Sequence, residues 1–257
     1  MLKLTTKIGR AILDYISYFG SLTMLTANAF KDMFTVKKQT NIFKHLNNIG
    51  LNSLPLVVII SIFTGMVLVM ETAYTLKRFG AEIYSGSIVS VSMIRELGPV
   101  FVAIILAGRV GGAIAAEIGT MKITEQIDAM EILAVDPVAY LISPRLFAGI
   151  IALPSLFLVS FFLAITGAAL VGIVLVNIPS GMFFYQTFRF IGPRDFVIGI
   201  IKSVVFAVVV IAVSANEGLR TSGGAVGVGK AATTSVVVSF FLIILCNLLL
   251  TGFFYFI

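Results

Sequence analysis

The sequence holds little charge and almost none of the residues that bind metals or cross-link chains. One cysteine, Cys246, and one histidine, His45, stand among 257 residues. No disulfide framework, zinc cluster or Cys/His dyad can be assembled from them. Cys246 lies in an apolar run and reads as a small buried hydrophobe; His45 ends a basic segment and reads as a solvated side chain. Charged residues make up 12% of the chain and hydrophobic ones 59%. A soluble domain carries about 25% charged residues, so this chain cannot cover a soluble surface with polar groups. The same hydrophobicity excludes disorder. The class that is left is a polytopic helical membrane protein.

The uncharged runs support that class. Residues 46–70, 146–188 and 231–257 carry no charge over 25, 43 and 27 positions. A helix needs roughly 20 apolar residues to cross a hydrocarbon core of ~30 Å. Residues 97–117 and 196–216 also qualify, interrupted by Arg109 and by Lys202 respectively, the first run ending on Glu117. The runs are continuous rather than alternating, which argues against a membrane barrel. The fold predicted is an all-α membrane protein with about five transmembrane helices, near 50–71, 88–118, 146–177, 196–217 and 231–257. No internal repeat is visible, which argues against the inverted-repeat secondary transporters.

Residues 1–45 hold seven cations (Lys3, Lys7, Arg10, Lys31, Lys37, Lys38, Lys44) against Asp14 and Asp32. These charges are too closely spaced for the apolar region of a cleavable signal peptide, so none is expected. Ile8, Ile12, Tyr15, Ile16, Phe19 and Leu22 recur at three- and four-residue steps, one face of a helix. A basic amphipathic helix of this kind lies in the membrane interface or packs as a soluble helix on a partner. With five spans, eleven Lys/Arg fall on the side of the N-terminus and five on the other. The positive-inside rule then puts the N-terminus in the cytoplasm and the C-terminus on the far side. The break at 177–181 and the aromatic stretch 182–194 that follows are expected at the outer interface.

Several local patterns invite a function. In the second span, Gly108 and Gly112 are four apart and can form a close-packed helix seam, either within the chain or as a gate or dimer contact. Arg109 and Glu117 share a helix face, with a loop or neighbouring helix as the default partner. At the other end of that span, Arg95 and Glu96 point to different sides and need different partners. Lys202 sits inside the fourth span, where a lone ammonium is costly; it either pairs with an acid such as Glu96 or snorkels to the headgroups.

Between the second and third spans, Thr124 can cap a short helix with Glu125 and Asp128 in its first turn. Ile123, Ile127, Met130 and Leu133 or Ala134 form an apolar stripe; Glu125, Asp128 and Glu131 form an acidic one. Docking into a partner's groove is the natural use, because an acidic face is repelled by anionic headgroups. Residues 224–231 almost spell a phosphate-binding loop, but Ala231 replaces the Ser/Thr that would hold magnesium and a membrane span precedes it. The chain is therefore not expected to bind ATP itself.

Glu96-Leu97-Gly98-Pro99, Ala107-Gly108-Arg109-Val110-Gly111, Ala116-Glu117-Ile118-Gly119-Thr120-Met121, Glu125-Gln126-Ile127-Asp128-Ala129 and Val135-Asp136-Pro137 together resemble the signature of the MlaE (YrbE) permease family. The loop Thr221-Ser222-Gly223-Gly224-Ala225 with Gly227-Val228-Gly229 is similar to that family's last cytoplasmic loop. The resemblance implies a single permease domain over 1–257, with 1–45 as an interfacial region and 46–257 as the transmembrane bundle. It implies a non-enzymatic, homodimeric, multi-pass subunit of an ABC transporter in a bacterial inner membrane, moving phospholipids between inner and outer membranes to maintain lipid asymmetry. Its partners would be a second copy of itself, a cytoplasmic ABC ATPase carrying the ATP and magnesium, a periplasmic MCE-domain protein and, in some systems, a STAS-domain subunit. Neither nucleic acid, a metal nor any cofactor of its own is implied.

Under that resemblance, Thr124, Glu125, Ile127, Asp128, Met130 and Glu131 belong to the coupling helix that meets the ATPase. Arg95, Glu96 and Lys202 form a polar cluster near the outer leaflet. Val67, Met70, Tyr74, Leu242, Leu245 and Leu249 line a lipid cavity between the first and last spans, and Gly108, Arg109, Gly112 and Glu117 form the helix seam. Two other classes remain in view. A lipid-modifying enzyme embedded in the membrane would need a catalytic cluster, which only Arg95, Glu96 and Lys202 could offer. A channel would need a polar ring along a span.

Overall fold

The computed structural model describes residues 2–35 and 42–256. Lys37 and Lys38 lie outside the described residues, as do the side chains of Lys3, Lys7, Ile8, Arg10, Ile12, Asp14 and Tyr15. The described elements are all helices: α1 (Leu2–Thr35), α2 (Ile42–Lys77), α3 (Glu82–Ile123), α4 (Gln126–Ile132), α5 (Val138–Val174), α6 (Ser180–Arg189), α7 (Pro193–Leu219) and α8 (Gly224–Phe256). Of these, α2, α3, α5, α7 and α8 are long and apolar enough to cross a membrane.

The five spans outrun the apolar windows that reveal them. α3 begins at Glu82 and α5 at Val138, several residues before the uncharged stretches start. Hydropathy marks the hydrocarbon crossing, whereas the backbone ladder continues into polar turns at either end. α5 stops where Asn177 takes a left-handed conformation (φ 61°) ahead of Pro179, a backbone state that Asn tolerates better than most residues.

Two wide, π-helical turns interrupt α3, at Met93–Leu97 and Ala107–Gly111, and a third opens α5 at Val138–Ile142. In each, the amide that closes the turn (Gly98, Gly112, Ser143) donates to the carbonyl five residues back. Such turns are rare and cluster at functional positions. Here the two in α3 carry Arg95, Glu96 and Arg109.

The closest helix pair is α2 with α5. A Cβ on Gly65 would overlap the Ala164 carbonyl, and one on Gly167 would overlap the Ile62 carbonyl. Between them Ser61 donates to Ser160 Oγ at 2.8 Å. Without a hydrophobic drive between helices in lipid, small residues that let backbones touch, joined by buried hydroxyls, hold such pairs together. α7 fills the centre of the bundle, with Phe206, Val210, Ile211 and Ala215 buried among α3, α5 and α8. At the opposite end Phe157, Phe161, Met93, Ile94 and Phe183 form a second core, and α6 is pinned there by Ser87 and Ser90, which donate to the Gln186 and Thr187 carbonyls.

Burial is uneven across the spans. Only 28% of the apolar window of α2 and 17% of that of α8 is buried, against 56% for α3, α5 and α7. The first and last spans thus present most of their surface outward.

α1 docks through its second half rather than through the face read from the sequence. Leu25 and Ala29 are buried against α5 and α7, while Ile16 and Phe19 are exposed. Ser21 donates to Asn216 Oδ1 at 3.2 Å, and Arg220 lies 5.2 Å over the Tyr18 ring. Burial, with the Glu217 carboxylate beside it, pushes the Tyr18 phenol well above its ordinary range, so it stays protonated.

Gly65→Ala is expected to lower the unfolding midpoint of the protein in detergent, by the ~1–3 kcal/mol typical of overpacking, because Ala164 backbone cannot retreat. Gly20→Ala, where a Cβ meets open space, should leave the midpoint unchanged or slightly raised. Equal midpoints for Gly65→Ala and the parent chain would refute the seam.

Candidate functional site

Pro99, just after the wide turn of α3, has no amide hydrogen to donate to the carbonyls behind it, and Lys202 brings a donor to that turn. Its Nζ donates to Arg95 O at 2.9 Å, to Glu96 Oε1 at 2.8 Å and to Thr251 Oγ1 at 2.8 Å. The side chain is 0% exposed, and all three ammonium hydrogens are used. Thr251 in turn donates to Glu96 Oε1 at 2.9 Å, and Asn247 Nδ2 donates to Glu96 Oε2 at 2.8 Å. Lys202 therefore does not snorkel: it ties α7 to the wide turn of α3 and to α8.

Arg95 points elsewhere. Its Nε donates to Asp195 Oδ1 at 2.7 Å, while Asp195 Oδ2 accepts from Gly192 N at 2.9 Å as the cap of α7. The guanidinium lies 5.4 Å over the Tyr255 ring. It lines a groove of about 450 Å³ together with Tyr84, Ser87, Ile88, Ser92 and Phe190. Of the two cations, Arg95 has donors to offer a ligand and Lys202 has none.

Asn247, Thr251 and Tyr255 are absent from the sequence reading. They recur every four residues, a single stripe on α8, and that spacing of polar groups in an apolar run was the available signal. Asp195 lies just before the span predicted from the sequence, and nothing local distinguishes it from an ordinary helix-capping acid.

At the other end, α4 is shorter than expected and turned differently. Thr124 does not cap it: its hydroxyl donates back to the Thr120 carbonyl at 2.9 Å, finishing α3. The residue preceding the helix is Glu125, in a left-handed conformation (φ 60°), and Ala134 (φ 57°) ends it the same way. The apolar stripe splits. Ile127 is buried and Met130 packs on the bundle, so neither is free to meet a partner; the core takes the inner apolar positions first. Ile132 and Leu133 are 85% and 75% exposed, beside exposed Glu125 and Glu131. Asp128 is engaged by Lys122 at 2.7 Å.

The remaining positions divide. Gly112 approaches Val236 on α8, whereas nothing lies near Gly108, so the pair forms no seam within this chain; that role belongs to Gly65 and Gly167. Arg109 and Glu117 do reach neighbouring helices, Arg109 to Ser53 Oγ (2.6 Å) on α2 and Glu117 to Arg145 (2.8 Å) on α5. Val67, Met70, Tyr74, Leu245 and Leu249 are exposed, but Leu242 is buried at 7% and lines no open wall in the single chain. Leu242 faces inward because the stripe toward α3 and α7 runs through it and Ile243.

The architecture is that of a multi-pass membrane protein whose outer spans leave broad apolar faces uncovered. The family model described as Permease MlaE matches residues 42–253, and the chain belongs to the MlaE permease family. It is 36% identical to a probable ABC transporter permease protein of Rickettsia prowazekii over 99% of both chains. A probable ABC transporter permease protein of Synechocystis is 38% identical over 82% of this chain and 80% of its own. The protein Trigalactosyldiacylglycerol 1, chloroplastic, of Arabidopsis thaliana is 35% identical over 84% of this chain and 61% of its own. The protein is a transporter permease.

Replacing Lys202 by Met strands Glu96 among α7 and α8 and is expected to cost ~3 kcal/mol, as for other pairs stripped of one buried partner. The double variant Lys202→Met/Glu96→Gln should recover most of that loss. Unfolding midpoints of the two singles and the double decide it, and simple additivity would show that the pair is not coupled.

Proposed function

We propose that this chain is the membrane-spanning subunit of an ATP-driven transporter that moves phospholipids between the inner and outer membranes of a diderm bacterium. It works as a pair of copies, with a cytoplasmic ABC ATPase at the α4 end and a periplasmic MCE-domain protein at the other; a STAS-domain subunit completes some such assemblies. The N-terminus is cytoplasmic and the C-terminus periplasmic, as the cation bias of the loops favours. One observation carries the reading: α2 and α8 leave their apolar faces uncovered, while Arg95 stands at the far end with free donors. Acyl chains suit the first and a phosphate suits the second. The plant relative carries the name of a glycerolipid, which supports a lipid cargo.

ATP-driven closure of the ATPase pair would press on α4 and narrow the space between copies. The outward side of α4, with Ile132, Leu133, Glu125 and Glu131, is the docking face; the inward side, with Ile127 and Met130, transmits the push to the bundle. ATP and magnesium stay on the ATPase.

Ile132→Asp combined with Leu133→Asp should leave folding intact, because both side chains are exposed, yet weaken ATPase co-purification by at least about thirtyfold, as loss of one interface hot spot does. ATP-driven lipid movement in reconstituted vesicles should fall with it. Retained association and transport would sink the docking assignment. Arg95→Gln should reduce transport while leaving ATPase association unchanged; undiminished transport would remove Arg95 from the lipid path.

A further inference from the structure

The α4 end of the bundle holds a second polar constellation, remote from the Lys202 cluster. A cavity of about 310 Å³ opens between the first turns of α2, the later half of α3 and the start of α5, lined by His45, Asn48, Asn52, Arg109, Glu117 and Arg145. Arg145 is almost completely buried, its side chain 4% exposed, with Nη2 donating to Glu117 Oε1 at 2.8 Å. Its Nη1 is buried and has no partner. An orphaned guanidinium donor is costly, and this side chain forms part of the cavity wall.

Arg109 stands across the cavity and makes no ion pair among the described residues. Its Nη1 donates only to neutral acceptors, Ser53 Oγ at 2.6 Å and the Asn48 carbonyl at 3.1 Å. Glu117 therefore offsets one guanidinium and leaves the other uncompensated. Ser53 and the Asn48 carbonyl hold Arg109 in place, as Glu117 holds Arg145, so both forks are oriented before any ligand arrives. The side-chain amides of Asn48 and Asn52 and the half-buried His45 ring complete the wall. Fixed guanidinium forks suit the paired oxygens of a phosphate better than a halide. Basic pockets between spanning helices bind anionic headgroups.

We infer that this cavity binds a phosphate group, held by Arg109 with Arg145 in the wall beside it and carried by a lipid headgroup or by free phosphate. The site is independent of the direction of transport and of the Arg95 groove, and it stands whether or not the proposed cargo is correct.

The test uses the full chain in detergent and in lipid nanodiscs. Native mass spectrometry should show phosphatidylglycerol retained by the parent chain and uncharged diacylglycerol not retained. Arg109→Gln should weaken that retention about tenfold, the size of one charge-assisted hydrogen bond, and Arg109→Lys should restore part of it. Millimolar inorganic phosphate should raise the unfolding midpoint of the parent chain in detergent, a measurement that needs no variant. Displacement of the lipid by inorganic phosphate assigns the site to the free ion, and resistance to displacement assigns it to the headgroup; both uphold a phosphate site. Equal retention by parent and Arg109→Gln, with no shift from phosphate, overturns it.

Discussion

The fold turns on one buried charge. Lys202 lies in the apolar stretch of α7, inside the bundle, and an ammonium there costs about 2.5–3.5 kcal/mol relative to an apolar residue even on the most lenient insertion scale. The charge is tolerated because three acceptors converge on it from two other helices. The wide turn Met93–Leu97 carries the Arg95 carbonyl and the Glu96 carboxylate together. The wide turn and the lysine are thus a single device. It fixes the rotation of α3 and α8 about α7, and with that fixes where Arg95 can point.

Everything toward the outside follows from what this device leaves uncovered. α7 is wrapped by α3, α5 and α8, and α2 is locked to α5 by backbone contact at Gly65 and Gly167. α2 and α8 consequently lie at the margins, with apolar faces that a lone chain cannot bury. Apolar patches of that extent need lipid or another protein against them. α8 carries the polar stripe Asn247, Thr251 and Tyr255 on its inward side, so it is sorted into a structural face and an open one.

How much of this the sequence discloses depends on the physics at each position. The five spans are legible because a run of 25 uncharged residues has no other stable place than a bilayer. Their ends are not, since helical hydrogen bonding ignores the hydropathy that marks the crossing. Lys202 and Glu96 are legible as candidate partners from depth alone, but Thr251 and Asn247 are not, because a lone Thr or Asn in lipid satisfies itself locally as often as across helices. In α4 the period of the apolar positions was readable and its sense was not: periodicity gives a face, and only the tertiary packing decides that Ile127 turns inward while Ile132 and Leu133 turn out. The Gly108–Gly112 spacing is open in the same way: a small-residue pair permits a close contact without naming the helix that makes it, and within this chain only Gly112 meets one.

The two ends of α3 share a construction that bears on how movement could pass through it. At each end a wide turn, Met93–Leu97 or Ala107–Gly111, presents an arginine toward a cavity or groove, and a separate acid nearby, Glu96 or Glu117, binds a cation from another helix, Lys202 on α7 or Arg145 on α5. A π-helical turn carries one residue more than the regular helix and can migrate along it at modest cost, since each step exchanges one backbone hydrogen bond for another. α3 is therefore built with two places where its register can yield, each coupled to charged partners on a different helix. Regular α-helix over residues 98–106 joins the two turns.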